Sequence, residues 1–336
     1  MGFNKKNDHV ELAQVLHKRE KESDFDSIQY LHHSCPQMGV DDVDIKTSMA
    51  GLDMEVPFFI NAMTGGSDMT KKVNEKLALV ARECDLLMAS GSLSVAMKDP
   101  DLMDSFKIIR KTNPKGKILA NLGAEHSVEN AKRAMDALEA DGLQIPVNSI
   151  QELVMPEGDR DFSKWLSSIE NLVNNIDKPI IVKEVGFGMS KKTLEELKNI
   201  GVKTVDIGGY GGTNFAKIEN FRRDKNKYDY LEDFGQSTII SLLEAQDYLD
   251  DLEIIGSGGI RNPLDIIKVL SLGSSATGIA GTILDMVLNR GVENSIETIN
   301  NWKSELKVIM TILGKKNIDE LKTAEFILSG RPKEWC

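Results

Sequence analysis

Eight short apolar runs recur along this chain, and each gives way to a polar or glycine-rich turn. They read VPFFINAMTGG (56–66), LLMASGS (86–92), GKILANLGA (116–124), GLQIPVN (142–148), KPIIVKEVGFG (178–188), VKTVDIGGYGG (202–212), LEIIGSGGI (252–260) and SSATGIAG (274–281). A run with little polar alternation suits a strand covered on both faces, as in a parallel sheet. Between the runs, stretches such as 70–84, 127–141, 190–200 and 262–272 carry apolar residues at helical spacing. Eight strand–helix repeats predict an α/β fold, a closed (β/α)8 TIM barrel. An open doubly wound sheet is the competing architecture. Against it, no GxGxxG follows the first run and polar residues close all eight, whereas an open sheet gathers its ligand groups at one switch point.

The barrel is expected over 56–287. A charged amphipathic extension (1–55) precedes it, and C-terminal helices with a tail (288–336) follow, all in a single structural domain. The longest interruption, GTNFAKIENFRRDKNKYDYLEDFGQ (212–236), exceeds a simple βα connection. Its length and charge fit a lid or binding loop, or else a disordered insertion.

Composition narrows the function classes. The 336 residues are 41% hydrophobic, ample for one large core, and the formal charge is −11. An acidic balance argues against nucleic-acid and membrane-surface binders, though not against a small anionic ligand met by local groups. Cys35, Cys84 and Cys336 lack metal-type spacing, which suits a reducing compartment. The first residues, MGFNKKNDHVELAQ, carry charge where a signal peptide needs an apolar run. No segment approaches the roughly 18 apolar residues of a membrane span. A cytoplasmic location is therefore expected.

In such a barrel, ligand groups sit where strands run into βα loops. GSGGIR (256–261) and GIAG (278–281) close the seventh and eighth runs, the usual place for a phosphate held by backbone N–H groups and a helix N-terminus. AMTGG (62–66) offers small residues and the Thr64 hydroxyl to a planar ring, or is a plain turn. Ser92 and Asn121 close the second and third runs as contacts or as caps. Lys183 ends an apolar strand, costly unless an anion or electron-rich group meets it. An ion pair with Glu184 is the alternative, although adjacent strand residues point to opposite faces.

Gln151 and Glu152 follow strand four, and Glu219 lies in the long loop. A carboxylate there can hold Mg2+, which prefers oxygen ligands and substrate phosphates, or can be a solvated surface acid. Lys5, Lys6 and His9 sit near the start. Lys6 and His9, three apart, can share a helical face and would suit a diphosphate, or form a solvated tail. Pro146, inside strand four, lacks a ladder donor, which costs least near a strand end.

Together KKNDHV, INAMTGG, ANLGA, NSIQELVMPEGDRDF, VKEVGFG, DIGGYGGTNFAKIEN, SGGIRNP and TGIAG resemble the type 2 isopentenyl-diphosphate isomerases over nearly the whole chain. The resemblance implies interconversion of isopentenyl and dimethylallyl diphosphate with reduced FMN, Mg2+, and NADPH as reductant. It also implies a homo-oligomer, tetramer or octamer. By motif, Ala62, Met63, Thr64, Ser92, Asn121, Lys183 and Thr213 would contact FMN. Gly258, Gly259, Ile260, Ala280 and Gly281 would hold its phosphate. Lys5, Lys6 and His9, with Ser92, Asn148 and Gln151, would meet substrate. Glu152 would bind the metal, and Gln151 and Glu219 would assist proton transfer centred on flavin N5. The chain departs from the family pattern at Lys5–Lys6 (often Arg-Lys), Ser94 (often Arg) and Pro146 (often His).

The rival function is an FMN oxidoreductase of the 2-hydroxy-acid oxidase type on the same barrel. It would need a catalytic histidine late in the chain, and none follows His126. A non-catalytic phosphate-binding barrel is the second rival.

Overall fold

The computed structural model describes residues 5–16, 23–223, 225 and 227–335, without the side chains of Lys5, Lys6, Asp8, Val15 and Leu16. Eight parallel strands close a barrel: β1 (Phe58–Ile60), β2 (Met88–Ala89), β3 (Ile118–Asn121), β4 (Gly142–Val147), β5 (Ile180–Glu184), β6 (Thr204–Asp206), β7 (Glu253–Ser257) and β8 (Ala276–Ile279). Each strand pairs with the next in the chain, and β8 pairs with β1, so there is no open edge.

Helix α1 (Lys5–Leu16) precedes the barrel. Around it run α2 (Asp68–Glu83), α3 (Asp104–Thr112), α4 (Val128–Leu138), α5 (Ser149–Val154), α6 (Trp165–Asn175), α7 (Lys191–Asn199), α8 (Phe215–Arg222), α9 (Thr238–Glu244), α10 (Pro263–Ser271) and α11 (Gly281–Asn289), and α12 (Val292–Ile312) follows. The interruption at 212–236 is thus partly helical, since α8 lies within it.

Alternation along the strands makes two cores. Outward residues such as Phe58, Ile60, Ile118, Leu143, Val182 and Ile254 pack with the helices. Inward residues Phe59, Leu119, Ile181, Ile255 and Ala276 form a separate cluster with Met49 and Met54. Those methionines come from an antiparallel hairpin, 47–49 with 52–54, that packs beneath the inner cluster. Its two turn residues, Ala50 (φ 52°) and Gly51 (φ 75°), both have positive φ, as a tight hairpin turn requires. Residues 28–30 pair with 326–328 and tie the two ends of the chain together.

Pro146 sits opposite Lys183 of β5. The carbonyl of Gln144 accepts from Leu122 N–H (3.0 Å), so that backbone edge faces β3. Two residues on, position 146 faces the same way, but the β3–β4 pairing has stopped at Asn121 and Gln144. The absent N–H therefore points where no strand remains to receive it.

Candidate active site

Above the apolar inner cluster, the next inward positions are polar and buried: Asn61, Asn121, Gln144, Lys183, Asp206 and Ser257. They form a continuous hydrogen-bonded layer. Asp206 accepts from Asn61 Nδ2 (2.7 Å), Ser257 Oγ (2.5 Å) and Gly208 N–H (3.2 Å), and pairs with Lys183 Nζ at 3.2 Å. Gln144 Nε2 donates to Asn61 Oδ1 (3.0 Å), and Asn121 Nδ2 to Gln144 Oε1 (3.4 Å). A buried charge is tolerable only when paired and hydrogen-bonded, and the Lys183–Asp206 pair meets that requirement. The partner of Lys183 is thus Asp206 on β6. The Glu184 carboxylate instead accepts Phe187 and Gly188 N–H, at 2.7 and 3.1 Å. Burial pushes Glu184 up to about 8 against those hydrogen bonds and the nearby Lys183 charge.

Over this floor opens a cavity of about 570 Å3, within the range of small-molecule sites. Asn61, Lys183 and Ser257 reach its lining from below, and Ala62, Met63, Thr64 and Thr213 line its sides. So do Gly258, Gly259, Ile260, Ala280 and Gly281, while His9 and Val10 come from α1. Ser92 and Asn121 are not among the lining residues. Ser92 donates to Ser94 Oγ (3.0 Å), and Asn121 belongs to the polar layer.

The glycine turns fit an anion. Gly258 has φ +105°, and a Cβ there would lie 2.0 Å from the Gly209 carbonyl oxygen, so only glycine is accommodated. Side chains of Ser67, Ser127, Asn148, Ser190, Asn214, Ser237 and Asn262 cap α2, α4, α5, α7, α8, α9 and α10. Helix α11 begins one residue after β8, and its N-cap, Ala280, makes no side-chain cap. Helices α3, α6 and α12 lack a side-chain cap too, but α11 is the one of these four that starts at the cavity, with Ala280, Gly281 and Thr282 in its lining, so its first-turn N–H groups are placed for an acceptor there. Arg261 also lines the cavity, but its guanidinium is engaged by Asp265 (2.8 Å) and Asp26 (2.6 Å). Binding an anion there falls to the backbone. With Lys183 below, this donor set fits a phosphorylated, planar, electron-rich group such as FMN.

A second cluster joins α1, α5 and α8. His9 Nε2 lies 2.8 Å from Glu219 Oε1, to which Gln151 Nε2 also donates at 3.4 Å, and Arg222 donates to Glu219 Oε2. Burial acts to raise the Glu219 carboxyl, but the His9 hydrogen bond and the His9 and Arg222 charges outweigh it and hold it below the usual range. Asn148 caps α5 by accepting Gln151 N–H (2.9 Å) and donates to the Val185 carbonyl (2.7 Å), so its amide positions Gln151. Half-buried Glu152 accepts Asp159 N–H at 2.9 Å. No group of three or more His, Cys, Asp or Glu is arranged for a metal among the described residues. The roles expected of Lys5 and Lys6 fall on side chains outside the described residues.

Sequence reasoning did not single out Asn61, Gln144, Asp206 or Ser257. The signal existed: each is a polar residue at an inward position of an apolar run, the criterion that singled out Lys183.

A family model described as FMN-dependent dehydrogenase matches residues 101–328. A protein of Latilactobacillus sakei named isopentenyl-diphosphate delta-isomerase is 50% identical over 325 residues, covering 97% of this chain and 93% of its own. One of the same name from Staphylococcus epidermidis is 47% identical over 331 residues, 98% and 95% of the two chains. Among solved structures, a flavocytochrome b2 variant with sulfite bound superposes with a TM-score of 0.69 at 22% identity, over 94% of this chain and 81% of that one. A mandelate oxidase variant with a monooxide FMN adduct gives 0.65 at 13% identity, over 98% and 94%. At such identities these two structures speak to the barrel alone.

Proposed function

The chain belongs to the FMN-dependent, type 2 isopentenyl-diphosphate delta-isomerases, and from that premise we propose that it moves the double bond of its substrate with reduced FMN and Mg2+. Support comes chiefly from one cavity that combines a backbone anion cradle, a lysine at its floor and His9 in its lining; through His9 it adjoins Glu219 and Gln151, which lie on α8 and α5 outside the lining. Bound and reduced, FMN supplies an electron-rich ring that stabilises positive charge on the substrate carbons, and a nitrogen, N5, that exchanges protons.

The chain's own residues bind, orient and exclude water. Backbone N–H groups at Gly258–Ile260 and Ala280–Gly281 hold the cofactor phosphate. Ala62, Met63, Thr64 and Thr213 flank the ring, and Lys183 meets its pyrimidine edge. His9, with Lys5 and Lys6, meets the substrate diphosphate. Glu152 would offer Mg2+ a carboxylate oxygen, the ligand type that metal prefers alongside substrate phosphates. Gln151 is too weak an acid to act alone, so it and Glu219, which holds both Gln151 and His9, assist the proton transfer. NADPH serves as reductant, and the working protein is a cytoplasmic homo-oligomer.

The oxidoreductase reading lacks its base. Among the described residues, the one histidine lining the cavity is His9, and Glu219 holds it. An anaerobic assay with FMN, Mg2+, NADPH and isopentenyl diphosphate is expected to yield dimethylallyl diphosphate; no product would overturn the proposal. Deuterium uptake from heavy water should collapse with 5-deaza-FMN, and undiminished turnover would remove N5 from the acid–base role.

A further inference from the structure

The floor of the cavity holds a charge that its own lining does not account for. Asn61, Lys183 and Ser257 reach the lining, and all three converge on one carboxylate, Asp206, which does not line the cavity itself. Asp206 is completely buried, and both of its oxygens are occupied. Oδ1 accepts from Ser257 Oγ and Gly208 N–H, and Oδ2 accepts from Asn61 and faces the Lys183 ammonium. Lys183 is equally committed, with the Glu184 carbonyl at 2.9 Å and Ser257 Oγ at 3.3 Å as its other partners.

We propose that Asp206 is a positioning residue for the flavin reaction: it fixes the Lys183 ammonium at the cavity floor, toward the ring's edge, and offsets its charge, so that the pair, not the lysine, sets how strongly the pocket favours the reduced cofactor. This rests on the FMN reading. The physical ground is distance and burial. At 3.2 Å, between a fully buried carboxylate and a nearly buried ammonium, opposite charges interact far more strongly than at the surface. An approaching ring edge therefore meets a near-neutral pair turned with its positive end upward. Ser257 can give up its contact with Lys183 to the ring and still donate to Asp206. The hydrogen-bond chain also fixes the amides. Asn61 must donate to Asp206, so its Oδ1 must accept from Gln144, whose own oxygen accepts from Asn121.

The test is the ratio of affinities for reduced and oxidised FMN, read as the midpoint potential of reconstituted protein. Asp206→Asn keeps the shape: with its oxygen toward Asn61 and Lys183, its amide nitrogen can donate to Ser257 Oγ, and only the Gly208 N–H loses its acceptor. It is expected to favour reduced FMN by about tenfold more, which is ~30 mV upward for a two-electron couple. Lys183→Met should shift the ratio the other way by a similar factor. The double variant Lys183→Met with Asp206→Asn carries the same net charge as the wild type, and should lie within about threefold of it. Asp206→Glu should keep the wild-type ratio with weaker FMN uptake.

A double variant that coincides with Lys183→Met, or an Asp206→Asn protein with an unchanged ratio, overturns the proposal. If Asp206→Asn alone does not fold, Lys183→Met compared with the double variant decides: a potential that shifts in Lys183→Met and returns to the wild-type value in the double variant supports compensation, and one that stays shifted, or never shifts, overturns it. Wild-type protein that takes up no FMN would instead overturn the cofactor reading, a distinguishable outcome.

Discussion

A carboxylate buried at the end of a barrel strand titrates late. Glu184 closes β5 and receives two N–H groups of the following loop, yet burial still pushes it up to about 8. In the unfolded chain its pKa would be near the ordinary 4.3. Between those values the folded protein holds a proton that the unfolded chain has lost, so stability falls as pH rises across that window. Glu184→Gln removes this titration. The difference in denaturation midpoint between variant and wild type should move in the variant's favour from pH 5 to pH 8, and a pH-independent difference would rule the assignment out. At this scale Lys183 was legible because a lone lysine in an apolar run demands a partner. Which partner was not legible: Glu184 is its neighbour in sequence, while Asp206 is its neighbour in the barrel. Cross-strand register, which pairs Lys183 with Asp206, is not written locally.

Among the elements, the eight strands were legible as short apolar runs closed by polar or glycine-rich turns, and most helices by apolar residues at helical spacing. The hairpin beneath the barrel was not, since strands of three residues (Thr47–Met49 and Leu52–Met54) are too short to display alternation. Helix α8 was missed for a related reason: eight residues of mixed polarity, FAKIENFR, leave no clear apolar stripe. The hairpin matters to stability. Met49 is fully buried against Phe59 and its neighbours in the inner cluster. Met49→Ala should cost about 2–5 kcal/mol, the usual range for truncating a packed core side chain. The polar layer lies between that cluster and the cavity, so urea unfolding should register the loss while FMN affinity changes less than about threefold. A large loss of FMN affinity would mean that the hairpin is coupled to the cavity.

Across the whole molecule, the barrel fixes every site group except those on α1, which reaches the cavity from the start of the chain. His9 meets Glu219 at 2.8 Å and packs edge-on to Phe215, with ring centroids 6.1 Å apart. Val10 is buried, and Asn7 accepts from Ser67 Oγ at 2.6 Å. Glu219 is therefore the hinge pin of the arrangement, because it also gathers Gln151 and Arg222. Its depressed pKa gives the linkage a sign: the stabilisation is present above the unfolded carboxyl value and is lost as pH falls through the lower folded one. Glu219→Gln should thus imitate acidification. Leaving a buried partner unsatisfied costs about 1–3 kcal/mol, which raises the population of undocked α1 by about 5- to 150-fold. Limited proteolysis should cut within the first 22 residues correspondingly faster, and the apparent KM for the diphosphate should rise while FMN affinity holds. Because the barrel strands and their capped helices do not depend on this contact, the thermal midpoint of the barrel should move by only a few degrees. Unchanged cleavage in Glu219→Gln would mean that α1 stays docked without its carboxylate, and a parallel loss of FMN would mean that the cluster supports the cofactor rather than the cover over it.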